Sequence, residues 1–244
     1  MLDARLVAPE SPSAFAVGLG GRRLGTVGRR GKHLVLELDG GDALVLHLRM
    51  TGQLRWTPGP PEALPYVRAR FALSDGAWLV LSDPRRFGTA RIVGAGWSAR
   101  TGVEPLDGGF SAARLGALLA GRRAPVKAVL LDQSRVAGIG NLYADEALFQ
   151  AGIHPERPAG TLTGDEVARL RRAIRDRLRA GLAAGGASLD RYRDALGRPG
   201  IMQERLRVHR HAGEPCPRCG AQVRKTRVAQ RGTYWCPVCQ PAPC

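Results

Sequence analysis

Hydrophobic and polar positions alternate along the first part of the chain, and the period then changes once. The runs Leu34-Val35-Leu36-Glu37-Leu38, Ala43-Leu44-Val45-Leu46-His47-Leu48, Arg68-Ala69-Arg70-Phe71-Ala72-Leu73 and Trp78-Leu79-Val80-Leu81 carry the period of two of half-buried strands. Turn sequences such as Asp39-Gly40-Gly41-Asp42 and Ser74-Asp75-Gly76 separate them. This pattern predicts short antiparallel strands stacked as a sandwich or flattened barrel. From about Ser111 the period becomes helical, with candidate helices over 112–119, 126–131 and 144–150. A long helix is expected to open at Thr163, where Thr163-Gly164-Asp165-Glu166 fits a capping box. Its predicted buried stripe is Val167, Leu170, Ile174, Leu178 and Leu182, and Gly185-Gly186 closes it.

The last thirty or so residues follow a third pattern. Cys216 and Cys219 form one Cys-x-x-Cys knuckle and Cys236 and Cys239 another, with sixteen residues between them. Four thiolates in two close pairs suit the tetrahedral shell of one structural zinc ion and leave no open coordination position. The intervening segment reads as a hairpin, and it carries Arg224, Lys225, Arg227 and Arg231. The chain is therefore expected to be α+β. A β-sandwich over 1–108 precedes a helical domain over 109–211 and a zinc-finger hairpin over 212–244.

Charge gives this architecture a direction. The formal net charge is +16 and the isoelectric point is near 11.1, as expected of a protein that holds a polyanion. Such charge supplies affinity and salt dependence rather than sequence choice. Only three of the 37 cationic residues are lysine, namely Lys32, Lys127 and Lys225. An ammonium is a compact point charge and a guanidinium a broad fork, so a retained lysine marks a position that needs the former. Cysteines in metal spacing argue against a disulfide framework and for a reducing, cytoplasmic setting. Cys244 is the odd one and reads as a free tail thiol. No apolar run approaches the length of a membrane span, so no membrane association is expected.

Between the helical segments stands Gly138-Ile139-Gly140-Asn141-Leu142-Tyr143, followed by Glu146, Phe149 and Ala151-Gly152-Ile153-His154-Pro155. Glycines just before a helix start expose backbone N–H groups at its positive end, where a phosphate can bind. The same residues resemble the helix–two-turns–helix motif of the formamidopyrimidine-DNA glycosylases. Arg30-Gly31-Lys32-His33-Leu34, His47-Leu48-Arg49-Met50-Thr51-Gly52-Gln53-Leu54, Asp83-Pro84-Arg85-Arg86-Phe87-Gly88 and Glu104-Pro105-Leu106 are similar to further signatures of that family, in the same order. Arg231-Gly232-Thr233-Tyr234-Trp235-Cys236-Pro237 resembles its zinc finger.

The resemblance implies a base-excision-repair glycosylase with lyase activity at abasic sites, acting as a monomer on double-stranded DNA that carries oxidised bases. It implies that Asn141 and Arg231 grip phosphates flanking the lesion, that Lys32 and Lys127 approach the extruded nucleotide, and that Met50, Arg85 and Phe87 fill the vacated stack. Flipping a base costs a few kcal/mol, which an apolar wedge and a guanidinium can partly offset. The family's opening Pro-Glu, whose proline amine attacks the sugar, has no counterpart at Met1-Leu2-Asp3-Ala4, which aligns downstream of it, so the β-sandwich is expected to miss the family's first helix and the strand after it. Two expectations follow: a truncated or misassigned start, or a catalytically dead damage sensor. The retained lesion-side residues favour the first. A general zinc-ribbon nucleic-acid module is the reading from a different class.

Overall fold

The computed structural model describes residues 2–61, 64–190 and 192–242; Cys244 lies outside them. The chain forms two compact units, Met1–Ala99 with Gly185–Ile201, and Arg100–Ala184 with Met202–Cys244. No helix among the described residues is long and apolar enough to cross a membrane.

The first unit begins with two helices that the alternation did not announce, α1 (Ala4–Val7) and α2 (Pro12–Leu19). Ser11 caps α2 by accepting from the Ala14 amide at 3.1 Å, and Pro12 occupies the first turn, where its missing N–H costs nothing. Strands β1 (Leu24–Arg30), β2 (His33–Leu38), β3 (Ala43–His47), β4 (Gln53–Thr57), β5 (Val67–Ala72), β6 (Trp78–Ser82) and β7 (Thr89–Val93) follow. They form two antiparallel sheets, ordered β1-β2-β3-β7 and β4-β6-β5. Leu36 pairs with Leu44 and Leu34 with Leu46, so one face of β2 and β3 is continuously apolar. That face shares its core with Ala69 and Leu81 of the other sheet and with Leu6, Val7 and Phe15 of the helices. The sandwich expected from the sequence is present. The segment Gly185–Ile201 joins this unit, where the Trp56 amide donates to the Ala195 carbonyl at 2.8 Å.

The second unit holds α3 (Ala112–Leu119), α4 (Val126–Leu131), α5 (Asn141–Ala151) and α6 (Gly164–Ala183), then the hairpin β8 (Arg224–Val228) and β9 (Arg231–Trp235). Thr163 caps α6 with a full capping box: its hydroxyl accepts from the Glu166 amide, and Glu166 accepts from the Thr163 amide. Val167, Leu170 and Ile174 are buried and Leu178 packs against the core as predicted, but Leu182 does not. It is 69% exposed, because in the last turn Gly181 and Ala184 take the inward positions and Leu182 faces outward. Helix α5 serves two cores. Leu148 faces the helical one, while Phe149 packs with Val208, Cys216, Val223 and Cys236 under the hairpin.

Candidate nucleic-acid interface

In the first unit one buried carboxylate organises an exposed apolar cluster. Asp83 is 1% exposed and accepts from the Thr51 hydroxyl and from the backbone N–H groups of Arg85, Phe87 and Gly88 at 3.2, 2.8 and 2.8 Å. Burial alone would raise its carboxyl. The hydrogen bonds from Thr51, Gly88, Arg85 and Phe87 outweigh that and hold it below the usual carboxylate range. With the loop pinned from beneath, Met50 and Phe87 stand 70% and 53% exposed. Arg85, also exposed, lies between them: its Nη1 is 3.3 Å from Met50 Sδ and its guanidinium carbon 4.7 Å from the centre of the Phe87 ring. The structure brings these three predicted residues together on one surface.

Lys32 is exposed in the turn before β2. Beside it in sequence lies a cluster that composition did not single out. The His33 and His47 rings meet edge to face at 4.7 Å, and Trp97 stands 5.8 Å from His33. The Arg49 amide donates to His47 Nδ1 at 2.9 Å, which leaves the proton of the neutral ring on Nε2. Burial, then the charges of Arg49, His33 and Lys32, push His47 down to about 4. It is therefore a neutral donor at pH 7, among cations that would repel a second proton.

The second unit holds Asn141, Lys127 and Arg231. Helix α5 starts at Asn141, with Gly140 in the extended conformation before it. The Asn141 Nδ2 donates to the Gly232 carbonyl at 2.8 Å, tying the helix start to the hairpin. Lys127 requires a correction. It was expected to approach an extruded nucleotide, yet it is 0% exposed. Its ammonium is committed internally: it donates to the Gly232 carbonyl at 3.0 Å and to Thr233 Oγ1 at 2.7 Å, and it forms an ion pair with Asp145 Oδ1 at 2.6 Å. Burial pushes its ammonium below the usual range, Asp145 opposes that shift, and Arg231 adds to it. The site does need an ammonium, but as an internal strut of the hairpin. Arg231 itself is exposed as the first residue of β9, after a turn in which Ala229 and Gln230 both have positive φ, 48° and 62°.

Two buried acids on α5 were missed as functional groups. Glu146 accepts the backbone N–H groups of Arg207, Val208 and His209 at 2.9–3.1 Å and so holds the chain entering the zinc module. Asp145 forms an ion pair with Lys127 at 2.6 Å and accepts from His209 Nδ1 at 2.7 Å. Glu146 stood within the quoted motif, but the sequence carries no signal that joins Asp145 to a residue 64 positions away.

The metal-binding atoms of Cys216, Cys219, Cys236 and Cys239 all lie within 4.8 Å of one another. Two of the sulfur separations are 3.9 Å and 3.4 Å, close to the ~3.8 Å edge of a tetrahedron with Zn–S bonds of about 2.3 Å. The backbone N–H groups of Arg218 and Cys239 point at Cys216 and Cys236 sulfurs at 3.4 Å, as knuckles do when they support thiolate charge. Burial, then the neighbouring sulfurs, push the Cys239 thiol up to about 12, so a divalent cation is what would keep this set ionised. The residues fit one structural zinc ion.

Three family models match the chain: the formamidopyrimidine-DNA glycosylase N-terminal domain over residues 1–90, the H2TH domain of the same glycosylase over 101–192, and a zinc finger found in FPG and IleRS over 213–242. The formamidopyrimidine-DNA glycosylase of a Roseiflexus species is 47% identical over 242 residues, covering 97% of this chain and 88% of that protein. That of Chloroflexus aggregans is 45% identical, covering 97% and 87%. Among solved structures, the MutM (Fpg) protein of Thermus thermophilus matches with a TM-score of 0.85 at 44% identity, over 92% of this chain and 85% of the other. The Lactococcus lactis Fpg in complex with DNA containing an abasic site matches with a TM-score of 0.89 at 32% identity, over 98% and 90%. With all three of its parts matched and relatives this similar over nearly its whole length, the chain belongs to the formamidopyrimidine-DNA glycosylase family.

Proposed function

We propose that this protein is a cytoplasmic base-excision-repair DNA glycosylase and abasic-site lyase, acting as a monomer on duplex DNA that carries oxidised purines. The observation that carries the reading is the Met50–Arg85–Phe87 cluster, two large apolar side chains held in water around a guanidinium on a loop pinned by Asp83. Exposed side chains of this kind fill the space that a flipped nucleotide leaves, and the guanidinium can pair with the orphaned base. Lys32 contacts the lesion nucleotide. Arg231 and the N–H groups at the start of α5 hold backbone phosphates, with Asn141 and Lys127 fixing the hairpin between them. The zinc ion holds that hairpin and takes no part in the reaction.

The reaction is amine attack on the sugar C1′, expulsion of the base, formation of a Schiff base and elimination of the flanking phosphates. Borohydride reduces that imine to a stable amine, so trapping reads the chemistry directly. Duplexes with 8-oxoguanine opposite cytosine, with an abasic site, and without damage are compared. Covalent adducts on the two damaged duplexes alone support the proposal. Selective binding without an adduct overturns the excision step, and equal binding to all three overturns lesion recognition as well.

A further inference from the structure

We propose that His209 is a positioning residue for DNA binding, acting through Asp145, Lys127 and Thr233 on the hairpin turn that presents Arg231. The inference rests on the reading of Arg231 as a phosphate contact.

The hydrogen bonds between these residues have a forced direction. Lysine has donors and no acceptor, so Thr233 Oγ1 must accept from Lys127 at 2.7 Å. The one hydroxyl proton of Thr233 is then free to go to the Arg231 carbonyl, 3.0 Å away. At the other end Asp145 divides its two oxygens. Oδ1 takes Lys127 at 2.6 Å and Oδ2 takes His209 Nδ1 at 2.7 Å. The Asp145 and Lys127 side chains are 0% exposed and that of His209 is 9% exposed, so no solvent replaces a lost partner.

This division is what makes His209 matter to the turn. A buried carboxylate oxygen left without its donor is costly, and the nearest remaining donor is the ammonium already paired with the other oxygen. Without the His209 donor, Asp145 would draw Lys127 Nζ toward its second oxygen and away from Gly232 and Thr233. The other charged or polar neighbours do not substitute. Glu146 is already committed to the backbone N–H groups of residues 207–209, and Tyr234 meets the His209 ring edge to face at 5.0 Å. Since Glu146 holds the backbone, a change of the 209 side chain leaves the segment in place and removes only the donor to Asp145.

The test is a double-mutant cycle on the full, zinc-loaded chain, reading the Kd for an abasic-site duplex across a salt series, with zinc content recorded for every variant. Arg231→Ala is expected to weaken binding and lower the salt slope by about one unit. His209→Phe keeps the ring and loses the donor. It is expected to weaken binding about tenfold and to lower the slope likewise, with no further loss when combined with Arg231→Ala. His209→Asn retains a side-chain N–H and should restore most of the affinity, while Asp145→Asn should reproduce the loss. A purely structural role would leave the slope unchanged. If His209→Phe loses zinc, the contrast between His209→Asn and Asp145→Asn decides. Wild-type behaviour of His209→Phe, or losses that add to those of Arg231→Ala, would overturn the proposal. An Arg231→Ala variant with wild-type affinity and slope would instead remove the phosphate-contact reading, and this inference with it.

Discussion

Asn141 Nδ2 and the Gly232 carbonyl, 91 residues apart in sequence, meet at 2.8 Å, and Lys127 donates to the same oxygen at 3.0 Å. One backbone carbonyl thus ties the start of α5 to the hairpin tip, beside Arg231. Replacing Asn141 with Ala removes one of the two ties. A neutral hydrogen bond of this kind contributes about 1 kcal/mol, so affinity for an abasic-site duplex is expected to fall roughly fivefold. Zinc content should not change. Anisotropy titration at fixed salt measures the first, and metal analysis the second.

Lys127 and Asp145 form a fully buried pair, and removing one partner strands the other. Lys127→Met should therefore cost about 3–5 kcal/mol in denaturant unfolding. Adding Asp145→Asn removes the stranded charge, so the double variant should recover part of that loss. Strict additivity would show that the two do not act as a pair.

His47 sets a pH dependence whose sign is fixed. Its folded value is about 4 against 6.5 for the free side chain, so between these limits the unfolded chain binds the extra proton. Stability should fall as pH drops from 6.5 to 4, and His47→Gln should flatten that part of the profile. Thermal melts at intervals of half a pH unit would show it, and an unchanged slope in the variant would contradict it.

Phe87 is half exposed, and its backbone is held by Asp83 whatever side chain it bears. Phe87→Ala should change stability by no more than about 0.5 kcal/mol. It should weaken binding to damaged duplex more than to intact duplex, because the wedge acts only where a base has left the stack. Equal weakening on both duplexes would assign Phe87 to general DNA contact.

Chelation should release the zinc ion, loosen the hairpin and abolish DNA affinity, since the four cysteines sit over a small core of Phe149, Val208 and Val223 and leave the hairpin with only a few hydrogen bonds to α4 and α5 once the metal is gone. Verified metal loss with unchanged affinity would refute this role.

Several features of this site are legible in the sequence because they are local. The alternation at β2 and β5 records one buried face, the continuous apolar runs of β3 and β6 record strands buried on both faces, the capping box of α6 lies within four residues, and the cysteine knuckles state their own geometry. Strand β1 leaves no such record, since it is an edge strand exposed along most of its length. Helix α2 buries only Phe15 and so has no stripe to read. Lysine scarcity pointed to Lys127 as a position that needs an ammonium, but composition does not tell an outward charge from a buried strut. The same holds for Asp83 and Asp145, whose partners come from turns and from distant segments that no periodicity connects.

The most direct test of the account is the ratio of affinities for duplexes with and without an abasic site, measured on the zinc-loaded chain at physiological salt. The account predicts a ratio well above tenfold that falls toward one in the Met50→Ala/Phe87→Ala double variant. A ratio near one for the unaltered protein would contradict lesion reading and leave only a basic zinc-finger protein that holds DNA of any kind.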